Sequence, residues 1–319
     1  MRRGIRDSRC FVRVGKMTRK DVAMIPEAAE APPFSWQRFW ERFQDRFGDF
    51  FKNRLAFVGI IIVISVVGVA LAAPLIQIHD PLQQNISYRL QRPGFEHFFG
   101  TDHLGRDVWA RIVHGARVAL MVGIIAVGIG IIFGTPIGAI SGYYRGKVDE
   151  VIMRIMDSLL AFPPILMALV VVTILGSSLF NTMVAIGVVY IPRFARVTRG
   201  SVLSEREKEY VEAGKMVGES NLSILFRQIL PNTLSPLIVQ ATVFIAYAIL
   251  TEAALSFLGL GIQPPNPSWG SMLNEAKLFI ESDPYLAIIP GLAISITVLG
   301  FNLFGDGLRD ILDPRLAKR

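Results

Sequence analysis

From Leu55 to Ile78, and again from Val118 to Ile140, the chain carries no Asp, Glu, Lys or Arg. A helix needs roughly 20 apolar residues to cross a hydrocarbon core about 30 Å thick, so each run is long enough to span. The same pattern predicts a third span at Ser158 to Gly176, a fourth at about Ser178 to Ile191, a fifth at about Leu234 to Gly259 and a sixth from Tyr285 to Gly305. The runs are continuously apolar rather than alternating, so they predict helices, which satisfy their own backbone in lipid, and not barrel strands. The expected fold class is an all-α membrane protein with six transmembrane helices. A content of 52% hydrophobic and only 18% charged residues agrees with it.

An even number of spans puts both termini on one side. Of the 33 Lys and Arg, 27 fall on the terminal side (1–54, 141–157, 193–233 and 306–319) and 6 on the other. The positive-inside rule therefore predicts that both termini are cytoplasmic, in a multi-pass protein of a bacterial or archaeal plasma membrane. The net charge of +7 is then an orientation signal that also attracts anionic lipid headgroups, and it does not argue for nucleic acid. The single cysteine, Cys10, excludes an intrachain disulfide.

Residues 1–33 read as a disordered tail, polar and then Pro/Ala-rich, in which Met17 and Met24 are alternative starts. "MRRG" is not followed by the apolar region of an export signal. In 34–54 the aromatic residues Trp36, Phe39, Trp40, Phe43, Phe47, Phe50 and Phe51 recur at helical spacing, which predicts a helix lying in the cytoplasmic interface or packed on the bundle. The permease domain is expected at 55–319.

A polar insert, "SEREKEYVEAGKMVGESNLSILFRQILPN", separates the fourth and fifth spans. Ser204 and Glu207 form an S-x-x-E capping pattern, predicting a helix from about Glu205 that Gly218 ends. A second helix is expected from Ser220 to a stop before Pro231. Spacing groups Tyr210, Ala213 and Val217 on one face and Glu205, Glu209 and Glu212 on another. By itself such an acidic stripe is either a solvated face or a docking surface.

The order "EAGKMVG", nine residues, then "QILP" resembles the EAA loop of ABC-importer permeases. Glu212, Ala213, Gly218, Leu230 and Pro231 match its pattern, whereas Gly214 and Gln228 depart from it. Three further stretches are similar to C-type permeases of dipeptide, oligopeptide and nickel importers: Phe99–Leu120, Ala254–Leu273 and Gly305–Leu316. The resemblance implies a subunit that forms half of a translocation path for di- or oligopeptides, or alternatively a nickel or other metal chelate. It implies as partners a homologous B-type permease, two ATPase subunits and an extracytoplasmic solute-binding protein. The loop at about 199–232 would dock into an ATPase groove, through Glu205, Glu209, Glu212, Ala213, Gly218, Leu230 and Pro231.

This chain lacks a phosphate-binding G-x-x-x-x-G-K-[ST] loop, since "SGYYRGKVD" fails at both ends. The expectation is no cofactor on this chain, with ATP and Mg on the partner subunits, and no catalytic residue of its own. Glu252 is the one charge inside the fifth span, near its outer end, which makes it a candidate for a gate or a subunit contact, or else an interfacially solvated carboxylate. No second carboxylate or histidine lies in a span, which weighs against an ion-coupled secondary transporter. His79, His97, His103 and His114 all fall in the loop between the first two spans, beside Asp80, Asp102 and Asp107. Their separations fit no compact metal motif, so structural and surface roles are expected and no metal site. Pro163 and Pro164 predict a kink in the third span and Asp157 a pair with Arg154, while the row Gly134, Gly138, Gly142 permits a close helix contact.

Overall fold

The computed structural model describes residues 53–312. The tail at 1–33, and the segment at 34–54 except its last two residues, lie outside the described residues. Helix α1, Arg54–Ile76, is capped by Asn53, whose side chain accepts from the amides of Leu55 and Ala56. A folded loop then leads to α2, Val108–Tyr144, which Asp107 caps by accepting from the Ala110 amide at 2.8 Å. At 37 residues α2 is about 55 Å long and starts well before the apolar run. Its first turns bury Val108, Ala110, Val113 and Ala116, and Val108 and Ala116 share one cluster with Trp269, Met272 and Leu286 of the last third of the chain.

The third predicted span is not one kinked helix. The chain forms α3, Gly146–Leu160, and α4, Pro164–Leu175, at 90° to each other. Pro164 takes the first helical position of α4, where its missing N–H costs nothing, and two adjacent prolines stop α3 from continuing. With 12 residues, α4 reaches only about 18 Å and cannot cross a bilayer alone. Arg154 also pairs with Glu150, at 3.2 Å, rather than with Asp157, which meets Arg196 of the next helix.

Helix α5, Leu179–Glu205, runs straight through "PRFARV". Four described helices (α1, α2 and the later α7, Leu234–Phe257, and α9, Tyr285–Leu312) are long and apolar enough to cross a membrane, and the bent pair α3–α4 makes a fifth. The fourth expected span, about Ser178 to Ile191, rests on the apolar first half of α5, because its second half carries Arg193, Arg196 and Arg199. Outward-facing Leu71, Leu75, Ile124, Ile132 and Ile174 are exposed, as lipid contact requires. The remaining described helices of eight residues or more are α6, Glu209–Met216, and α8, Trp269–Ala276.

The most intimate packing joins α2 to α5. A Cβ on Gly134 would lie 2.5 Å from the Ile191 carbonyl oxygen, on Gly138 2.1 Å from that of Ala195, and on Gly142 2.9 Å from that of Arg199. The glycine row thus lets two backbones touch, a contact its spacing permits. Beside it Tyr190 stacks on Phe244 of α7 and Phe194 meets the same ring edge-on, with ring centroids 5.0 and 5.2 Å away. A second core joins α1, α2, α7, α8 and α9 around Trp269, Ile249 and Phe301, with the Trp269 indole donating to the Ile112 carbonyl at 3.0 Å.

Candidate functional site

The polar insert folds against the C-terminal ends of α2 and α5. Helix α5 stays helical through Glu205, so the Ser204–Glu207 cap does not form, and α6 begins at Glu209 with Lys208 as its N-cap. Buried Val202 explains the difference: it joins Ala139, Tyr143, Val211, Ile224, Leu225 and Ile229 in one apolar cluster, so packing extends α5 beyond its local stop signal. Glu207 reaches Arg145 instead, at 2.5 Å. Glu205 is not on an outward stripe. Its carboxylate accepts from Lys208 at 2.5 Å and from the Tyr210 hydroxyl at 2.9 Å, closing the turn between α5 and α6. Burial, with that carboxylate beside it, pushes the Tyr210 phenol above its ordinary range.

The face that holds α6 down is Val211, not the expected set: Val211 is wholly buried and Tyr210 half-buried, while Ala213 and Val217 are exposed. Glu209 and Glu212 are exposed on the same helix. Gly218 ends α6 with a φ of +82°, and Ser220 caps the next turn by accepting from the Ser223 amide. Helical backbone then runs on through Pro231, as Asn221–Ser223, a π-helical Ile224–Ile229 and Leu230–Asn232. The expected stop before Pro231 is absent because the wider turn shifts the ladder: the Leu230 amide donates to Leu225, five residues back. Leu230 and Pro231 are half-buried, Leu230 against the apolar cluster.

The result is a hairpin with an apolar interior and a mixed outer surface: Glu209 and Glu212 beside Met216, Val217, Leu222 and Phe226, all exposed. Met216 and Val217 are 83% and 87% exposed, unusual for large apolar side chains outside a span. The Tyr143 hydroxyl, at the end of α2, donates to Asn221 at 2.8 Å and so fixes the hairpin to the bundle. The two positions that depart from the EAA pattern are neighbours. A Cβ on Gly214 would lie 3.3 Å from the Gln228 amide, and Gln228 donates to Glu219.

At the other end of α2, the loop after α1 is held by a charge network that spacing alone does not reveal. Arg106 donates to Asp102 at 2.6 Å and to Glu275 of α8 at 2.6 Å, and Arg111 donates to Glu275 at 3.1 Å. Arg106, Arg111 and Asp102 are all buried. Glu275 lies more than 160 residues along the chain, so no local pattern announces it.

Glu252 of α7 is 2% exposed, which removes interfacial solvation as its explanation. Its Oε1 accepts from the Ser256 hydroxyl at 2.7 Å, and the Ser256 oxygen accepts from the Ile262 amide at 3.0 Å. The carboxylate is therefore turned into its own chain, where it anchors the turn at 258–262 to the end of α7. Contact with another subunit would first require this end to open.

Among the histidines, His114 meets Gln77 at 2.5 Å and His103 stacks on Phe279. His79 and His97 converge on Asp107, the cap of α2, with His97 Nδ1 at 2.9 Å and His79 Nδ1 at 3.9 Å from Asp107 Oδ1.

Residues 134–318 match the family described as binding-protein-dependent transport system inner membrane component, and residues 35–93 match the N-terminal TM domain of oligopeptide transport permease C. The chain is 48% identical over 293 residues to the dipeptide transport system permease protein DppC of Alkalihalophilus pseudofirmus, covering 92% of this chain and 96% of that one. It is 44% identical to the DppC protein of Haemophilus influenzae, over 84% of this chain and 93% of that one. It is also 44% identical to the glutathione transport system permease protein GsiD of Pectobacterium atrosepticum, over 84% and 89%. In fold it is similar to a chain of the inward-facing MetNI methionine ABC transporter, with a TM-score of 0.54 at 19% identity, covering 65% of this chain and 97% of that one. With more than half its length matched by one family model and several relatives above 40% identity, the chain belongs to the binding-protein-dependent transport system inner membrane components.

Proposed function

We propose that this chain is the C-type permease subunit of an ATP-driven importer of di- or oligopeptides. It pairs with a homologous B-type permease around a shared path and receives cargo from an extracytoplasmic binding protein. Two ATPase subunits bind ATP and Mg, and both termini of this chain face the cytoplasm with them. One observation carries the coupling role: α6 is clamped from inside by Val211 and stopped by a positive-φ glycine, yet displays Glu209, Glu212, Met216 and Val217 outward. Carboxylates beside exposed apolar side chains suit a partner groove that is basic at its rim and apolar at its floor.

In this mechanism ATP-driven closure of the ATPase pair pulls the two hairpins together. The motion passes into α2 through Tyr143 and into α5 through its continuous helix, and the permease halves rock from inward-facing to outward-facing. Cargo enters the opened path, and hydrolysis resets the assembly. Glu252 acts through the position of the turn at 258–262, on the side where cargo is received. Ala213, Gly218, Leu230 and Pro231 shape the hairpin, Glu205 closes its first turn, and the two α6 glutamates make the charged contact.

The test is co-reconstitution of this chain with its partner permease, ATPases and binding protein in proteoliposomes, followed by uptake of a labelled dipeptide. Uptake should require ATP and every subunit. Uptake of nickel without peptide would replace the cargo, and uptake by the lone chain down an ion gradient would replace the mechanism.

A further inference from the structure

We propose that His79, His97 and Asp107 form a binding site for a divalent transition-metal cation of the zinc type, at the end of the bundle opposite the coupling hairpin. The three residues come from different segments: His79 just after α1, His97 within the loop, and Asp107 at the cap of α2. One ligand atom from each lies within 4.8 Å of the others. For bonds of about 2.0–2.1 Å, neighbouring ligands of a tetrahedral zinc ion are about 3.3 Å apart. The observed separations from Asp107 Oδ1, 2.9 Å to His97 Nδ1 and 3.9 Å to His79 Nδ1, bracket that value.

Each ligand is already aimed. Asp107 Oδ2 is tied to the Ala110 amide at 2.8 Å, which fixes the carboxylate so that Oδ1 faces the imidazoles. His97 is buried and its ring sits 4.6 Å from that of His79. The decisive atom is His79 Nδ1, which is buried and has no hydrogen-bond partner. At 3.9 Å it lies too far from Asp107 Oδ1 to share a hydrogen bond in either tautomer, and in the tautomer protonated at Nε2 it presents a lone pair to the carboxylate. A cation between the two satisfies both. Its arrival moves the His97 Nδ1 proton to Nε2 and leaves the helix cap intact. The His79 side chain is 34% exposed, so the site lies near the surface, and a zinc ion held by three protein ligands takes a water as its fourth. Two imidazole nitrogens select a borderline cation over magnesium or calcium, which take oxygen ligands.

A second group, Asp102, His103 and Glu275, has similar spacing but different chemistry. Its carboxylates already accept from Arg106 and Arg111, so an added cation there would face two guanidinium groups. That makes His103 the internal control.

The experiment uses the full chain, purified without a polyhistidine tag and held in lipid nanodiscs, titrated with Co2+ and followed by its visible absorption. One Co2+ should bind per chain, Zn2+ should displace it and Mg2+ should not. His79→Gln removes a ligand that makes no hydrogen bond through Nδ1, so it should fold normally and weaken binding by roughly tenfold or more. His103→Gln should leave binding unchanged. Zn2+ should also raise the melting temperature of the unsubstituted chain but not of His79→Gln, because the ion joins three segments. Equal binding by the unsubstituted chain and His79→Gln overturns the proposal. So does loss of binding in His103→Gln alone, or no binding by an unsubstituted chain that elutes as a single folded species.

Discussion

Arg199 holds Asp149 through two parallel bonds, Nε to Oδ1 at 2.5 Å and Nη2 to Oδ2 at 2.6 Å. The pair fastens α3 to α5 shortly before the polar hairpin, and the Ser141 hydroxyl at the end of α2 donates to the same carboxylate at 2.5 Å. Three helices thus meet on one side chain. Asp149→Asn keeps the shape but loses the charge-assisted fork, and Arg199→Lys loses the second bond. Each should lower stability by about 1.5–3 kcal/mol, as for hydrogen bonds to charged groups, and reduce uptake. Thermal melts in detergent read the first effect. Unchanged melting in both variants means the clamp contributes nothing.

Gly138 faces the Ala195 carbonyl so closely that a Cβ would sit 2.1 Å from its oxygen. Backbone cannot give way as a side-chain tip can. Gly138→Ala should therefore force α2 and α5 apart at a cost of about 1–3 kcal/mol or more, whereas Gly128→Ala, where no atom lies within 4 Å, should be tolerated. Equal melting temperatures for the two variants would contradict the close approach.

The hairpin should fail in two separable ways. Gly218 has a φ of +82° with open space around it, so Gly218→Val strains the backbone by about 1 kcal/mol or more and deforms the turn. Glu212→Arg inverts an exposed charge and leaves the fold alone. Both should lower import and the recovery of ATPase subunits in a pull-down, and only Glu212→Arg should be partly rescued by an opposite charge in the groove. Full recovery and full uptake in both variants would make the hairpin an ordinary solvated turn.

Glu252→Gln retains an oxygen that can accept from Ser256, and Glu252→Ala does not. The alanine variant should lose about 1–3 kcal/mol by stranding buried polar partners, and lose uptake with it, while the glutamine variant keeps both. If glutamine preserves the melting temperature but abolishes uptake, the charge itself takes part in transport and anchoring the turn is not its main role.

Sidedness is tested with single cysteines after Cys10 is replaced. Ser220 and Asn266 are both exposed, so accessibility to a reagent depends on the compartment alone. In intact cells a membrane-impermeant maleimide should label a cysteine at 266 and spare one at 220. The reverse pattern would invert the topology.

The sequence by itself determined the all-α membrane architecture, because charge-free runs such as Leu55–Ile78 have few stable alternatives in lipid. It also put Gly134, Gly138 and Gly142 on one face of α2 by helical periodicity, which permits a seam, while only the packing showed that α5 fills it. The spacing of the hairpin was legible for the same reason: Gly218 and the Ser220 cap are local signals, read within a single turn. Only the tertiary structure decided where α5 ends, because buried Val202 outweighs the capping pattern at Ser204. It also decided that Glu205 closes a turn instead of joining a stripe, and that Val211 rather than Ala213 or Val217 faces inward. The break at Pro164 exceeds a kink because two prolines leave α3 no ladder to continue. The meetings of Arg106 with Glu275, and of His79 and His97 with Asp107, join residues whose separation along the chain carries no period. Such contacts are set by which helices pack together, and packing is a property of the whole bundle.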